Sequence, residues 1–394
     1  MSLNKNFNIE TFRGEFFLDA PTHVPLNNAG ITLLPKTTVH ELEIVSKRLA
    51  TDGAYLEPLF IDYHKSKELL AKFLGTEVKN VSWTQNCSAA ISIVAAGYEA
   101  VEGEEIVIFE NDYPANFYPW VQRAKKHGSL LKIVKAHNNL CRPADDVIKE
   151  INSKTRVVAI SMIHSDCGYL MDISAIADAA HKVGALVVVD TIQSLGVYPF
   201  DFSKSNIDVL CCGTHKWLCG PVTAGILAIK ENKIQEIKPL LHGATNYGSY
   251  EDASDTLKNY FEDSRRFEQG SAPLHPILGA RKSIEVLMNY GVDKIYDFSM
   301  AMRKILETGV KEMGFNVMGD SVKTGPQLSF FHPRISLSRF SEALNKEKIS
   351  HALRPAPIHI APEAKVLRLS PFAYNTDEEM HFALSILRRV LSKN

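Results

Sequence analysis

Three short stretches carry residues whose types and spacing could do chemistry. In the first, Val187-Val188-Val189 runs into Asp190, followed by Thr191-Ile192-Gln193-Ser194-Leu195-Gly196. A β-branched run that stops at an acid puts the carboxylate at the carboxyl end of a strand, where open α/β sheets bind ligands. In the second, Cys212-Gly213-Thr214-His215-Lys216-Trp217-Leu218-Cys219-Gly220-Pro221 closes another apolar run. A lysine among apolar and aromatic neighbours tends to lose its charge, and a neutral amine is what a Schiff-base nucleophile requires. In the third, Thr84-Gln85-Asn86-Cys87-Ser88-Ala89-Ala90-Ile91 opens an Ala-rich helical stretch. The free amides of a helix start, with the Ser88 hydroxyl beside them, make an anion site that suits a phosphate. An acid for a protonated ring nitrogen, an amine for a Schiff base and a phosphate seat are what pyridoxal 5'-phosphate (PLP) needs to act as an electron sink. Taken singly, each stretch also has a structural explanation: Asp190 as a cap after a strand, Lys216 as a solvated surface lysine, Ser88 as a plain N-cap.

The elements that must hold these residues alternate from about 66 to 230. Strand-like runs at 105–109, 156–160, 185–189 and 207–211 are interleaved with helix-like stretches at 88–99, 115–127, 143–151 and 173–183. Near-continuous apolar strands alternating with helices predict an α/β fold, with a mainly parallel sheet covered on both faces. Asp172 and Gly184 mark the two ends of the 173–183 helix. Beyond about 280, longer helical segments (277–290, 293–313, 338–346 and 376–392) predict a smaller α+β domain. The polar, Gly/Ser-rich stretch 242–273 between them reads as a crossing or lid segment. The chain has 394 residues and a formal net charge of -1, which gives no electrostatic case for nucleic acid or an anionic membrane. No apolar run reaches the length of a membrane span, and the N-terminus shows no signal-peptide core. The cysteines at 87, 141, 167, 211, 212 and 219 match no zinc spacing, so no metal site is expected and a reduced, cytoplasmic setting is. No Gly-x-Gly-x-x-Gly follows a strand, which argues against a nicotinamide enzyme.

Six motifs in order resemble one family. They are Leu26-Asn27-Asn28-Ala29-Gly30, the helix start at Ser88, Asp190-x-x-Gln193, His215-Lys216-Trp217, Arg266-Phe267-Glu268-Gln269-Gly270-Ser271, and Arg368-Leu369-Ser370-Pro371 with Tyr374-Asn375-Thr376. Together they resemble the class V aminotransferase group of fold-type I PLP enzymes, which includes cysteine desulfurases, selenocysteine lyases, cystine C–S lyases and isopenicillin N epimerase. The resemblance implies a homodimer acting on an amino acid. It implies an N-terminal arm (1–20) packing with the small domain, a large PLP-binding domain (21–265) and a small domain (266–394). It also implies roles. Lys216 forms the Schiff base and shuttles protons, Asp190 pairs with the pyridine nitrogen, and Gln193 approaches the ring hydroxyl. Ser88, Ala89, Thr214 and His215 hold the phosphate, and Ser271 reaches the phosphate of the opposite subunit. Arg368 binds the substrate α-carboxylate, beside the turn Asn28-Ala29-Gly30.

The chain departs from the desulfurase pattern in two places. Desulfurases carry a histidine over the ring, where the matching stretch here, Asn111-Asp112-Tyr113-Pro114, offers Tyr113. Desulfurases also carry a nucleophilic cysteine on the loop before the carboxylate arginine; the segment from Arg354 to Arg368 has none, and no cysteine follows Cys219. Gly213 stands where many relatives have a phosphate-binding serine. His164-Ser165-Asp166 is expected near the cofactor oxygen or the substrate. The expected reaction is a β-lyase step such as C–S cleavage, with transamination as the alternative.

Overall fold

The structure is a computed structural model that describes residues 8–18, 23–52, 57–137, 141, 143–247, 259–319, 322–332, 334–355 and 365–393. Its strands in chain order are β1 (Val24–Pro25), β2 (Val81–Thr84), β3 (Glu105–Phe109), β4 (Leu130–Val134), β5 (Thr155–Ser161), β6 (Leu186–Asp190) and β7 (Val209–Gly213). They continue with β8 (Gly225–Ile229), β9 (Asn316–Val317), β10 (Leu328–Phe331), β11 (Ile349–Ser350), β12 (Ala352–Pro355) and β13 (Lys365–Leu369). Seven of them form one sheet in the order β2-β8-β7-β6-β5-β3-β4. The pairings β7-β6, β6-β5, β5-β3 and β3-β4 are parallel, and β8 runs antiparallel to both its neighbours. The central strands are buried along their whole length, which explains the unbroken apolar runs of the sequence. At the opposite edge from β4, Ser264 closes the open side of β2: its hydroxyl donates to the Val81 carbonyl at 2.6 Å, and Ser82 donates to the Ser264 carbonyl at 2.7 Å. That contact anchors the segment that leads to Ser271.

The helices follow the sequence reading with local differences. Asp172 caps the helix Ile173–Lys182, accepting from the Ala175 amide at 3.3 Å, and Gly184 beyond it adopts a φ of 76°. The helix expected from Ser88 runs Cys87–Gly97 and is capped by Asn86, so Ser88 lies inside its first turn. The stretch 115–127 splits at Phe117 into a short 3-10 turn and the helix Tyr118–His127, because Pro119 can only sit in a first turn. The helix Lys36–Thr51 precedes the alternating region and Glu57–Leu74 runs into its start; neither was among the expected helices.

Among the described residues, the buried hydrophobics form one large and one smaller core cluster, with a third, minor one of Val45, Leu59 and Leu278. Ile277, Ala280, Ile284, Val286 and Leu287 of the helix Leu274–Tyr290, and Ile295 beyond it, contribute to the large one. A boundary at 265/266 therefore falls before a helix that packs with the large unit. The small core gathers side chains from Met302 onward around the antiparallel sheet β12-β13-β10-β9, together with Val24 and Leu26. The arm residues Phe12 and Phe16 are buried against Tyr290, Phe372 and Tyr374, and Arg13 pairs with Glu379 at 2.6 Å. Of the 242–273 stretch, residues 248–258 lie outside the described residues. The flanking parts are tied together by Asn246, whose amide donates to the Leu241 and Arg266 carbonyls.

Candidate active site

The carboxyl ends of β3, β5, β6 and β7 converge. Asp190 ends β6 and is 2% exposed. Its Oδ1 accepts from the Ile192 amide at 2.9 Å and from the Cys87 thiol at 3.4 Å. Its Oδ2 is buried with no hydrogen-bond partner among the described residues. Burial raises the Asp190 pKa to about 6, against the pull of the Ile192 amide and the nearby Lys216. A buried, unpartnered carboxylate oxygen calls for a cationic donor from outside the chain. The carboxylate does not cap a helix, so the cap explanation for Asp190 is set aside.

Lys216 follows β7 and is 6% exposed, which also removes the surface-lysine explanation. Its backbone is clamped: the carbonyl accepts from the Cys219 amide at 2.8 Å and from the Thr32 hydroxyl. The loop behind it is tight. Cys219 takes a left-handed φ of 53°, and a Cβ on Gly196 would lie 2.4 Å from the Trp217 carbonyl oxygen, so only glycine lets the two site loops touch. Burial lowers the Lys216 pKa to about 8; Asp190 opposes the shift, and Arg368 and Arg354 reinforce it. The amine lies 5.1 Å from the centre of the Tyr113 ring, and Tyr113 is 42% exposed. Asp112 positions that tyrosine. It is buried and accepts from the Tyr113 amide, the Asn116 side chain and the Ser161 hydroxyl at the end of β5. His215 is held below its usual pKa by burial and by Lys216, so its ring is neutral at neutral pH.

Arg368 on β13 is 1% exposed. It donates to the Ser165 carbonyl at 2.7 Å and to Asn27 Oδ1 at 3.4 Å, while its Nε is buried without a partner among the described residues. Burial and the neighbouring Arg354 lower its pKa to about 9. Gln193 is fixed at both ends: its amide donates to the Ala29 carbonyl at 3.1 Å and its oxygen accepts from Trp217 at 2.9 Å. Asn28 is occupied by the Pro25 and Ser370 carbonyls and by the Tyr374 hydroxyl. The Ala29 amide donates to the Ser370 hydroxyl, and the Gly30 amide to the Asn27 carbonyl. The 28–30 turn thus braces the site floor through its polar atoms. Thr214 is fully buried, and its hydroxyl donates to the Pro221 carbonyl at 2.6 Å, which makes it a loop-closing residue here. Ala89 donates its amide to the capping Asn86 at 2.9 Å. Ser88 is exposed. Ser271 is also exposed and lines, with Ala89, a separate small cavity on the flank of the same helix.

Four contributors escaped the sequence reading: Cys87 on Asp190, Asp112 under Tyr113, Asn27 on Arg368, and the ion pair of Arg354 with Asp166. All four are long-range contacts or partners of a residue already singled out. Of the stretch His164-Ser165-Asp166, the Ser165 carbonyl accepts from Arg368 at 2.7 Å.

The donor set fits PLP: a buried lysine of lowered pKa, a buried carboxylate oxygen awaiting a cation, and an aromatic ring beside them. The family model for class-V aminotransferases matches residues 26–382. The chain belongs to that family and is a PLP-dependent enzyme of fold type I. A probable cysteine desulfurase of Methanothermobacter thermautotrophicus is 26% identical over 382 residues, covering 93% of this chain and 94% of that protein. YcbU of Bacillus subtilis, an uncharacterised aminotransferase, is 24% identical over 373 residues, covering 94% and 95%. Among solved structures, the apo cysteine desulfurase of Thermococcus onnurineus superposes with a TM-score of 0.88 at 21% identity, covering 98% of each chain. The cystine C–S lyase C-DES, bound to its product cysteine persulfide, gives a TM-score of 0.84 at 20% identity, covering 94% of this chain and 98% of that one.

Proposed function

We propose that this protein cleaves the carbon–sulfur bond at the β-carbon of an amino acid by elimination, and that no cysteine of its own carries the sulfur. When bound, PLP supplies an electron sink for the substrate α-carbon. The chain's residues supply the rest. Arg368 holds the α-carboxylate, and its unpartnered Nε leaves donor capacity for that task. Lys216, with its pKa lowered to about 8, takes the α-proton. Asp190 keeps the ring nitrogen protonated, and Tyr113 covers the opening beside the lysine. The carbon–sulfur bond then breaks with the electron pair on sulfur, and water completes the release of pyruvate and ammonia.

The observation that carries the sulfur-carrier part of this reading is the state of the thiols. A persulfide carrier needs an exposed thiolate. Burial pushes the Cys87, Cys211 and Cys212 thiols well up and holds Cys219 at about 12. Cys167 is fully buried as well, and the half-buried Cys141 lies far in sequence from the segment before Arg368. The segment that should bear the loop cysteine contains none in sequence, and its residues 356–364 lie outside the described residues. The names of the relatives favour a sulfur amino acid as substrate. The family description and the Bacillus relative favour a second reading, transamination. Exposed Leu240, Leu241 and Ser271 support a homodimer, and the free thiols of Cys87, Cys211, Cys212 and Cys219 support a reducing cytoplasm.

The test is incubation with cysteine or cystine, removal of small molecules, and intact mass. Unmodified protein with pyruvate is expected. One added sulfur per chain with alanine as product would return the chain to the persulfide-forming desulfurases. A keto acid formed only when an amino acceptor is present would mark a transaminase.

A further inference from the structure

His164 is 3% exposed and has no part in the chemistry above. Its ring joins two loops of the site. Nε2 lies 3.2 Å from the carbonyl oxygen of Asn111, and Nδ1 lies 3.3 Å from the Asp166 amide and 3.8 Å from the Cys167 thiol. These partners fix the tautomer. A carbonyl only accepts, so Nε2 carries the proton; a backbone amide only donates, so Nδ1 is bare. The ring is a neutral imidazole that donates to one loop and accepts from the other. Asn111 needs such a hold, because its φ of 58° lies in the left-handed region, which asparagine tolerates and most residues avoid. Two positions on stands Tyr113, whose amide donates to Asp112 Oδ1 at 2.7 Å. The peptide planes on both sides of Asp112 are thus pinned, the first by His164 and the second by the Asp112 carboxylate. Together they aim the tyrosine at Lys216, whose amine is 5.1 Å from the ring centre. The His164 loop is in turn docked beside the small sheet: Gln327 donates to the His164 carbonyl at 3.3 Å, and Arg368 to the Ser165 carbonyl at 2.7 Å.

We propose that His164 is a positioning residue for Tyr113, acting through the Asn111 carbonyl. The inference rests on the reading above in which Tyr113 covers the opening beside Lys216, and it is independent of which bond is broken. Tyr113 is exposed, so packing alone does not set its direction; the ring inherits its direction from the backbone before it. Asp112 is itself anchored, accepting from the Ser161 hydroxyl at 2.7 Å, but its bond to Tyr113 reaches only the second of the two planes. The first plane depends on the imidazole. Without the Nε2 donor, nothing offsets the cost of the left-handed turn at Asn111, and the loop relaxes to a more ordinary backbone. Tyr113 then swings away from the lysine, and the bound cofactor loses an aromatic neighbour that excludes water. The carboxylate-binding end and the ring-covering end of the site therefore share one short loop: Arg368 holds it at Ser165, and His164, one residue earlier, passes its position on to Asn111.

The experiment reconstitutes the full chain with PLP and reads two quantities other than turnover: the Kd for PLP, and the visible circular dichroism of the bound cofactor, which reports the asymmetry of its surroundings. Far-ultraviolet circular dichroism confirms that each variant folds. An asparagine amide falls near the Nδ1 of the imidazole it replaces, and a glutamine amide reaches to Nε2. His164→Asn therefore keeps the Asp166 contact and loses the Asn111 contact. It is expected to weaken PLP binding about fivefold and to bring the visible signal to that of Tyr113→Ala. His164→Gln restores the donor to Asn111 and should return the Kd to within about twofold of the unmodified protein. Asn111→Val reaches the same joint from the exposed side, since a β-branched residue resists a left-handed φ, and should move both readouts as His164→Asn does. It carries the test if His164→Asn does not fold. Adding His164→Asn to Tyr113→Ala should change nothing further, because the residue to be positioned is gone. Effects that multiply in that double variant overturn the proposal, as do equal losses in His164→Asn and His164→Gln, which would make the imidazole a packing element. Silence at His164 beside a clear effect of Tyr113→Ala removes the positioning role and leaves the tyrosine as cover. Silence of Tyr113→Ala removes the cover and the positioning role with it; pyruvate release, measured separately, decides the lyase reading on its own.

Discussion

The floor of the site and its mouth are built on opposite terms. The floor is made at strand ends: Asp190 closes β6, Lys216 follows β7, and both sit under a sheet buried on both faces. Its polar atoms are held by backbone groups and by neighbours that cannot shift without disturbing the core, as the Cys219 turn and the Gly196 contact illustrate. The mouth is made of loop side chains, with Tyr113, Asp166 and Arg354 each a third or more exposed. In the floor, burial moves pKa values: Asp190 up to about 6 and Lys216 down to about 8. At the mouth, charges compensate one another: burial would raise Asp166, but His164, Arg354 and Arg368 hold it below the usual carboxylate range. A rigid, desolvated floor suits a step common to every substrate. A wetter, charge-paired mouth suits the choice among substrates.

The contrast is tested most severely by Lys216→Ala. No other amine stands where this one does, so turnover is expected to fall by about 10⁴-fold while the fold survives. Product formation and circular dichroism read the two together. Retained activity would mean that the buried floor is not the seat of proton transfer.

The floor was legible in the sequence because it rests on local signals. The Val187–Asp190 run and the Gly-bounded lysine loop are short patterns that specify a strand end. The α/β alternation was legible for the same reason, since strands buried on both faces must be apolar throughout. The mouth was legible only in part. Arg354 and Asp166 are separated by almost two hundred positions and meet because β12 pairs with β13 beside the loop after β5. No local pattern encodes that meeting. Thr214 and Asn28 mark another limit: the family motif identified the right loops, but the hydrogen bonds that occupy these two side chains come from partners the motif does not specify.

Arg368 stands between the two regions, buried like the floor yet facing the mouth. Replacing it by lysine keeps the charge and removes the fork, so the second donor to the substrate carboxylate is lost. KM is expected to rise about 10- to 100-fold with a smaller change in kcat, because the interaction is made in the ground state and the transition state alike. Steady-state kinetics on one thioether substrate would show it. An unchanged KM would put the carboxylate on another group and remove Arg368 from substrate binding.

The smallest expected effect concerns how the floor tolerates its own buried acid. In the protein without cofactor, Asp190 has a folded-state pKa raised from 3.8 to about 6. A raised acid holds its proton longer in the folded than in the unfolded chain. Its contribution to stability is therefore present below about pH 4 and is lost as pH rises through about 6. Cofactor should reverse this, because a ring-nitrogen cation favours the ionised acid and Schiff-base formation needs the neutral Lys216 amine. The stabilisation that PLP confers, read as the difference in Tm with and without it, should grow from pH 5 to pH 8. Cys87 sets the fine position of that rise, since its thiol hydrogen bond to Oδ1 lowers the Asp190 pKa. Cys87→Ala leaves the Ile192 amide as the remaining donor to that oxygen, so the rise should move to higher pH and PLP affinity at pH 7 should weaken by about threefold. Cys87→Ser keeps a donor and should restore both. A profile identical in all three proteins would show that the thiol is packing alone and that the backbone amide is enough to hold the acid in place.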